Sequence, residues 1–98
     1  MMEYRFYMQN FKVDILGSEW SVKFGNNKEY PNLTSVDGYT DSSTREIVVD
    51  DMETSHGQIG VKADLKSYQK HVVRHEIIHA FLLESGLDSN SNSAAVGL

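Results

Sequence analysis

Cysteine is absent from the 98 residues, which removes disulfides, thiolate metal ligands and cysteine nucleophiles together. No run is long and apolar enough for a membrane: Ile77-Ile78 and Ala80 to Leu83 fall far short of the ~20 residues that a span needs. The first ten residues, MMEYRFYMQN, lack a basic stretch followed by an apolar one and carry no export signal, so a cytoplasmic setting is the expectation. Basic residues are also scarce. Lys and Arg total 9 against 14 Asp and Glu, a net charge of −5, which disfavours general attraction to phosphate backbones or anionic lipid. Neither nucleic acid nor membrane is an expected partner.

What is present fits one modest core. An apolar share of 40% over this length supports a single domain spanning residues 1–98 rather than two independent ones. Val13/Ile15 and Trp20/Val22/Phe24 alternate on either side of Gly17-Ser18, which predicts a hairpin. Tyr4, Phe6 and Met8 alternate in the same way and suggest a further edge strand. Residues 25–37 are rich in turn formers and hold the only proline, Pro31, so they read as a loop. Gly38-Tyr39-Thr40 reads as a brief strand, Asp41 to Thr44 as a turn, and Arg45 to Asp50 as a strand on the strength of Ile47, Val48 and Val49.

Residues 51–63 read as a connector containing His56, after which the pattern turns helical from Leu65 to Ser85. Asp64 is placed to cap this helix at its start and Gly86 to end it, bracketing about six turns. Its apolar positions wrap more than one face, so the helix is expected to be largely buried across the sheet. The remaining segment, 87–98, is small and polar and reads as a loose tail.

One motif declares a chemistry. His75, Glu76 and His79 spell H-E-x-x-H inside RHEIIHAF. A four-residue step on a helix advances ~6 Å and turns ~400°, so the two imidazoles project from nearly one face and can grip one ion. Glu76 lies ~100° from His75 and ~60° short of His79, beside the metal, where a general base belongs. Histidine offers a neutral nitrogen ligand, and an unligated carboxylate can cycle one proton. Zinc at such a site lowers the pKa of its bound water toward ~7 and polarises a carbonyl. Chance would produce the pattern in roughly one of 100 chains of this composition, and an apolar helix that spends core-facing positions on His, Glu and His incurs a desolvation cost that a metal site explains.

Other polar residues fit the site less well. His71 and His79 stand ~12 Å apart along the axis, so all three helix histidines cannot share one tetrahedral ion. His56 reads as a solvated loop histidine that could swing toward a metal, and Asp50, Asp51 and Glu53 as a solvated strand end.

The segment RHEIIHAFLLESGLD with the preceding REIVVDD resembles the small zinc-dependent peptidases of the zincin superfamily. It is similar in plan to the minigluzincins and to short metallopeptidase-like proteins of bacterial and phage genomes. The likeness covers about Asp37 to Asp88; the motif is specific to the superfamily and its flanks are suggestive. It implies an α+β fold, a small twisted sheet of three or four strands packed on one long active-site helix. It further implies Zn2+ held by His75 and His79, Glu76 as catalytic base, and a peptide or protein substrate added along an edge strand, here Arg45 to Asp50.

The third zinc ligand departs from that pattern. A metzincin needs glycine and histidine where this chain has Leu82 and Ser85, and Glu84 lies ~140° around the helix from His79. Asp88 lies beyond Gly86 and needs a sharp reversal to reach the ion. Three alternatives stand. A downstream ligand-bearing helix is missing, which is the favoured one; or the ligand comes from His56, Asp88, the terminal carboxylate or another subunit; or the chain is a degenerate relative that no longer catalyses. The expected function is that of a zinc metallopeptidase-like protein whose catalytic competence depends on this ligand, with a non-catalytic protein-interaction module as the alternative. A missing helix leaves apolar helix surface uncovered, so a homo-oligomer through that face is expected.

Overall fold

The computed structural model describes residues 9–53 and 65–87. The expected strand at Tyr4 to Met8, His56, the Asp64 cap, Asp88 and nearly all of the expected tail lie outside the described residues. The architecture is α+β: a four-stranded mixed sheet packed against one helix. In chain order the elements are β1 (Phe11–Ile15), β2 (Ser18–Gly25), a single turn of 3-10 helix (Pro31–Thr34), β3 (Gly38–Asp41), β4 (Glu46–Asp50) and α1 (Leu65–Ser85).

The sheet order is β1-β2-β4-β3. Two hairpins make it, and they join through β2 and β4, which run parallel. After β2 the chain passes over to β3 and only then turns back, through Asp41 to Thr44, to place β4 in the gap. One expectation is thereby corrected: residues 45–50 are no edge. β4 is hydrogen-bonded on both sides, pairing Val22 with Ile47 and Thr40 with Ile47, and Arg45 sits in the turn before it. Three consecutive buried residues, Ile47, Val48 and Val49, are what a strand covered on both faces requires. Among the described residues the edges are β1 and β3.

The core lies between sheet and helix, where Ile15, Trp20, Val22, Ile47, Val49 and Met52 meet Val72, Val73 and Ala80. A single sheet covers only one side of a helix, and α1 is buried on one stripe: Gln69, Val72, Val73, Glu76 and Ala80, related by the three- and four-residue steps of one face. The expectation of a largely buried helix is corrected accordingly. Ile78 is 57% exposed and Phe81 46%, both on the side away from the sheet. Gln69, fully buried, donates from Nε2 to the Asp50 carbonyl at 3.0 Å, which ties the start of α1 to the end of β4. Gly86 adopts φ 86°, the left-handed conformation that ends helices.

The far end of α1 is fixed by Glu84. Its carboxylate accepts from Trp20 Nε1 at 3.0 Å, from Ser18 Oγ at 3.2 Å and from the Arg45 guanidinium. Trp20 is a core residue, so its only polar atom is satisfied at the core's margin by a helix residue. The Arg45 guanidinium, with help from Trp20 and Ser18 and against the opposing effect of burial, holds the Glu84 carboxyl below its ordinary value of 4.5.

Two measurements check this account. A carboxyl whose folded pKa is depressed adds stability that is complete above the unfolded value and disappears as pH falls through the folded one. The stability gap between wild type and Glu84→Gln is therefore expected to be widest above roughly pH 5 and to close on acidification, as read by urea unfolding across pH. The hairpin turn supplies the second. Leu16, 59% exposed, has φ 52° and is followed by Gly17 at φ 90°. Two successive positive-φ residues suit Asn-Gly, and a branched residue is strained there, by about 1 kcal/mol. Leu16→Asn should stabilise the fold by a similar amount in the same unfolding assay.

Candidate metal centre

His75 and His79 meet as their helical spacing predicts. Their Nε2 atoms are 3.1 Å apart, with the rings edge to face. Two ligands of one tetrahedral zinc at ~2.0–2.1 Å are separated by ~3.3 Å, so the pair fits the bite of a single ion. Without metal the same approach suits one ring N–H donating to the other ring's bare nitrogen. Both functions require Nε2 on each ring, and only the metal requires both to be acceptors.

Glu76 occupies the buried stripe at 8% exposure, near its middle, whereas His75 is exposed and His79 half-buried at the rim. The ~100° step between neighbouring residues does this. A buried carboxylate needs a partner, and β3 provides it: Thr40 Oγ1 donates to Glu76 Oε1 at 2.7 Å and lies 3.2 Å from the Glu76 carbonyl. Among the described residues, Glu76 Oε2 has no hydrogen bond.

β3 can approach this closely because of Gly38. A Cβ at that position would stand 2.7 Å from Val72 Cγ1 and 3.5 Å from Glu76 Cγ, and a helical valine has little rotamer freedom to yield. Strand alternation then puts Thr40, two residues on, against the same helix face. Alongside lies a cleft of about 340 Å³ lined by Val36, Asp37, Gly38, Tyr68, His71, Val72, His75 and Glu76. At its other end the Tyr68 hydroxyl donates to Asp37 Oδ2 at 2.5 Å. That bond to the carboxylate, with burial and the charge of Asp37, pushes the tyrosine up to about 12.

The remaining candidate residues sort themselves. His71 is exposed and lines the same cleft, its ring centroid 6.4 Å from that of His75. Asp50 Oδ1 accepts from Met52 N at 2.8 Å and Asp51 Oδ1 from Glu53 N at 2.9 Å, so these carboxylates close local turns. Glu84 is engaged by Trp20, Ser18 and Arg45. Among the described residues, no set of three His, Cys, Asp or Glu side chains is close enough to hold an ion together. The donor set present is therefore two imidazoles.

Thr40, Gly38, Asp37 and Tyr68 were not visible as site residues from sequence. Gly38-Tyr39-Thr40 reads as a strand, but nothing in its spacing says which strand it pairs with or which helix residue it faces. No family model, curated protein or solved structure matches the chain. No helix among the described residues is long and apolar enough to cross a membrane.

The close approach at Gly38 can be tested by exchanging volume across it. Gly38→Ala should cost about 1–3 kcal/mol by overpacking and Val72→Ala a comparable amount by loss of volume. The double variant should lose at least 0.5 kcal/mol less than the sum, about the limit of additivity for unconnected sites. Additive losses in urea unfolding would rule out the contact.

Proposed function

We propose that this chain is a zincin-type, zinc-dependent metallopeptidase-like domain, with His75 and His79 as zinc ligands and Glu76 as the catalytic base. The observation that carries this reading is the convergence of the two Nε2 atoms at 3.1 Å, one helical step from a buried carboxylate that opens on a cleft. A structural role for the helix calls for neither the imidazole pair at the rim nor a carboxylate in the core.

Zinc, when bound, supplies a Lewis acid that acidifies water and polarises a peptide carbonyl. The rest falls to the chain's own side chains. His75 and His79 present neutral Nε2 lone pairs to the ion. Thr40 holds Glu76 Oε1, which fixes the carboxylate plane and leaves Oε2 to take a proton from water and return it to the leaving amine. Among the described residues β3 has no strand on the side away from β4, and it takes over the edge role expected of residues 45–50: an extended peptide adds there and passes Glu76. The third protein ligand is supplied by a downstream helix, by His56, Asp88 or the terminal carboxylate outside the described residues, or by a second copy; without any of these the chain is a degenerate relative that does not catalyse.

Metal binding and hydrolysis are separable by substitution. After incubation with zinc and removal of excess, wild type should retain about one ion per chain, and His79→Ala should lose at least tenfold in affinity by calorimetry. Glu76→Gln keeps an acceptor for Thr40 and should bind zinc as wild type does, while any peptide hydrolysis falls at least ~100-fold. Zinc affinity that is absent in wild type, or unchanged in His79→Ala, would overturn the reading.

A further inference from the structure

The cleft beside His75 and Glu76 has a charge character of its own. Its lining includes the carboxylates of Asp37 and Glu76 and the imidazoles of His71 and His75 and, among the described residues, no lysine or arginine. Asp37 is half-buried. Tyr68 occupies its Oδ2 through a neutral hydroxyl, and among the described residues Oδ1 has no partner and the carboxylate no ion pair. A carboxylate with one oxygen uncommitted, set in a cleft whose described residues include no lysine or arginine, is complementary to a cationic ligand and repels an anionic one.

Position sharpens this. β3 and α1 run side by side: Asp37 faces Tyr68, Gly38 meets Val72 and Thr40 bonds Glu76. The helix rises ~12 Å from Tyr68 to Glu76, and the strand covers ~10 Å from Asp37 to Thr40. Asp37 therefore lies about three residues of extended chain from the proposed base. We propose that the cleft selects a basic peptide, seating a lysine or arginine side chain on the Asp37 carboxylate within three residues of the position facing Glu76. This substrate class rests on the metallopeptidase-like reading, but binding on the Asp37 carboxylate does not require cleavage.

The test is equilibrium binding to the full metal-free chain in chelator, by fluorescence anisotropy. The probes are dye-labelled alanine-glycine octapeptides, blocked at both ends, that differ only in one central residue: lysine, norleucine or glutamate. Wild type should bind the lysine peptide about three- to fivefold tighter than the norleucine peptide, the range of a partly solvated ion pair, and the glutamate peptide most weakly. Raising salt should narrow the difference. Asp37→Asn keeps an acceptor for Tyr68 and should abolish the preference. Tyr68→Phe frees Oδ2 while leaving the charge and should retain it. Equal affinity of wild type for the three peptides, or a lysine preference that survives Asp37→Asn, would overturn the proposal. Either result leaves the zinc and hydrolysis measurements untouched, and loss of zinc binding in those leaves this one intact.

Discussion

The parallel pairing of β2 with β4 is the constraint on which the rest depends. Once β4 lies beside β2, β3 can occupy only the outer flank, and the short turn from Asp41 to Thr44 holds it there. That flank is where α1 passes. Gly38 and Thr40 reach the helix because β3 is the outermost strand and because its first residue has no side chain. The candidate site is thus a product of strand order: with β3 and β4 exchanged, the buried Glu76 would face Ile47, the residue that pairs with Thr40, where it now has a hydroxyl.

Both ends of α1 are pinned by polar contacts, each to a different strand end. Gln69 reaches the last residue of β4, and Glu84 reaches the start of β2 and the turn before β4. Between these fixed points the apolar stripe sets rotation about the helix axis, so the direction of His75 and His79 follows from packing that involves neither. For the zinc binding proposed above, a pair held this way would be oriented before an ion arrives, which lowers the conformational cost of binding it.

Much of this was legible in the sequence, for identifiable reasons. The hairpin at Gly17, the strand at Ile47 to Val49, the loop around Pro31 and the helix from Leu65 to Ser85 all rest on local signals: alternation, β-branching and capping. The His pair was legible too, because helical spacing is itself a distance. Pairing was not. The zincin resemblance puts residues 45–50 at an edge, whereas their three consecutive apolar residues describe an interior strand. The amphipathic balance of α1 is not legible either, since apolar residues such as Ile78 and Phe81 count toward burial in a sequence but are exposed in the fold, with no second layer over them among the described residues. Asp37, Gly38, Thr40 and Tyr68 depend on contacts between residues 31 to 36 positions apart, for which one sequence carries no local signal.

Glu76 and its flanking histidines answer to different demands. The carboxylate sits in the core with a partner on a strand, so replacing it with a smaller or apolar residue leaves Thr40 only the longer contact to the residue 76 carbonyl and opens space beneath β3. The histidines stand at the rim, and the fold asks little of either. If the chain binds zinc as proposed, loss of that role would free both histidines to vary, while the packing around Glu76 would still favour the glutamate. Under that proposal, a relative without the metal would be recognisable by an interior glutamate bonded to a strand threonine, long after the motif around it had become unreadable.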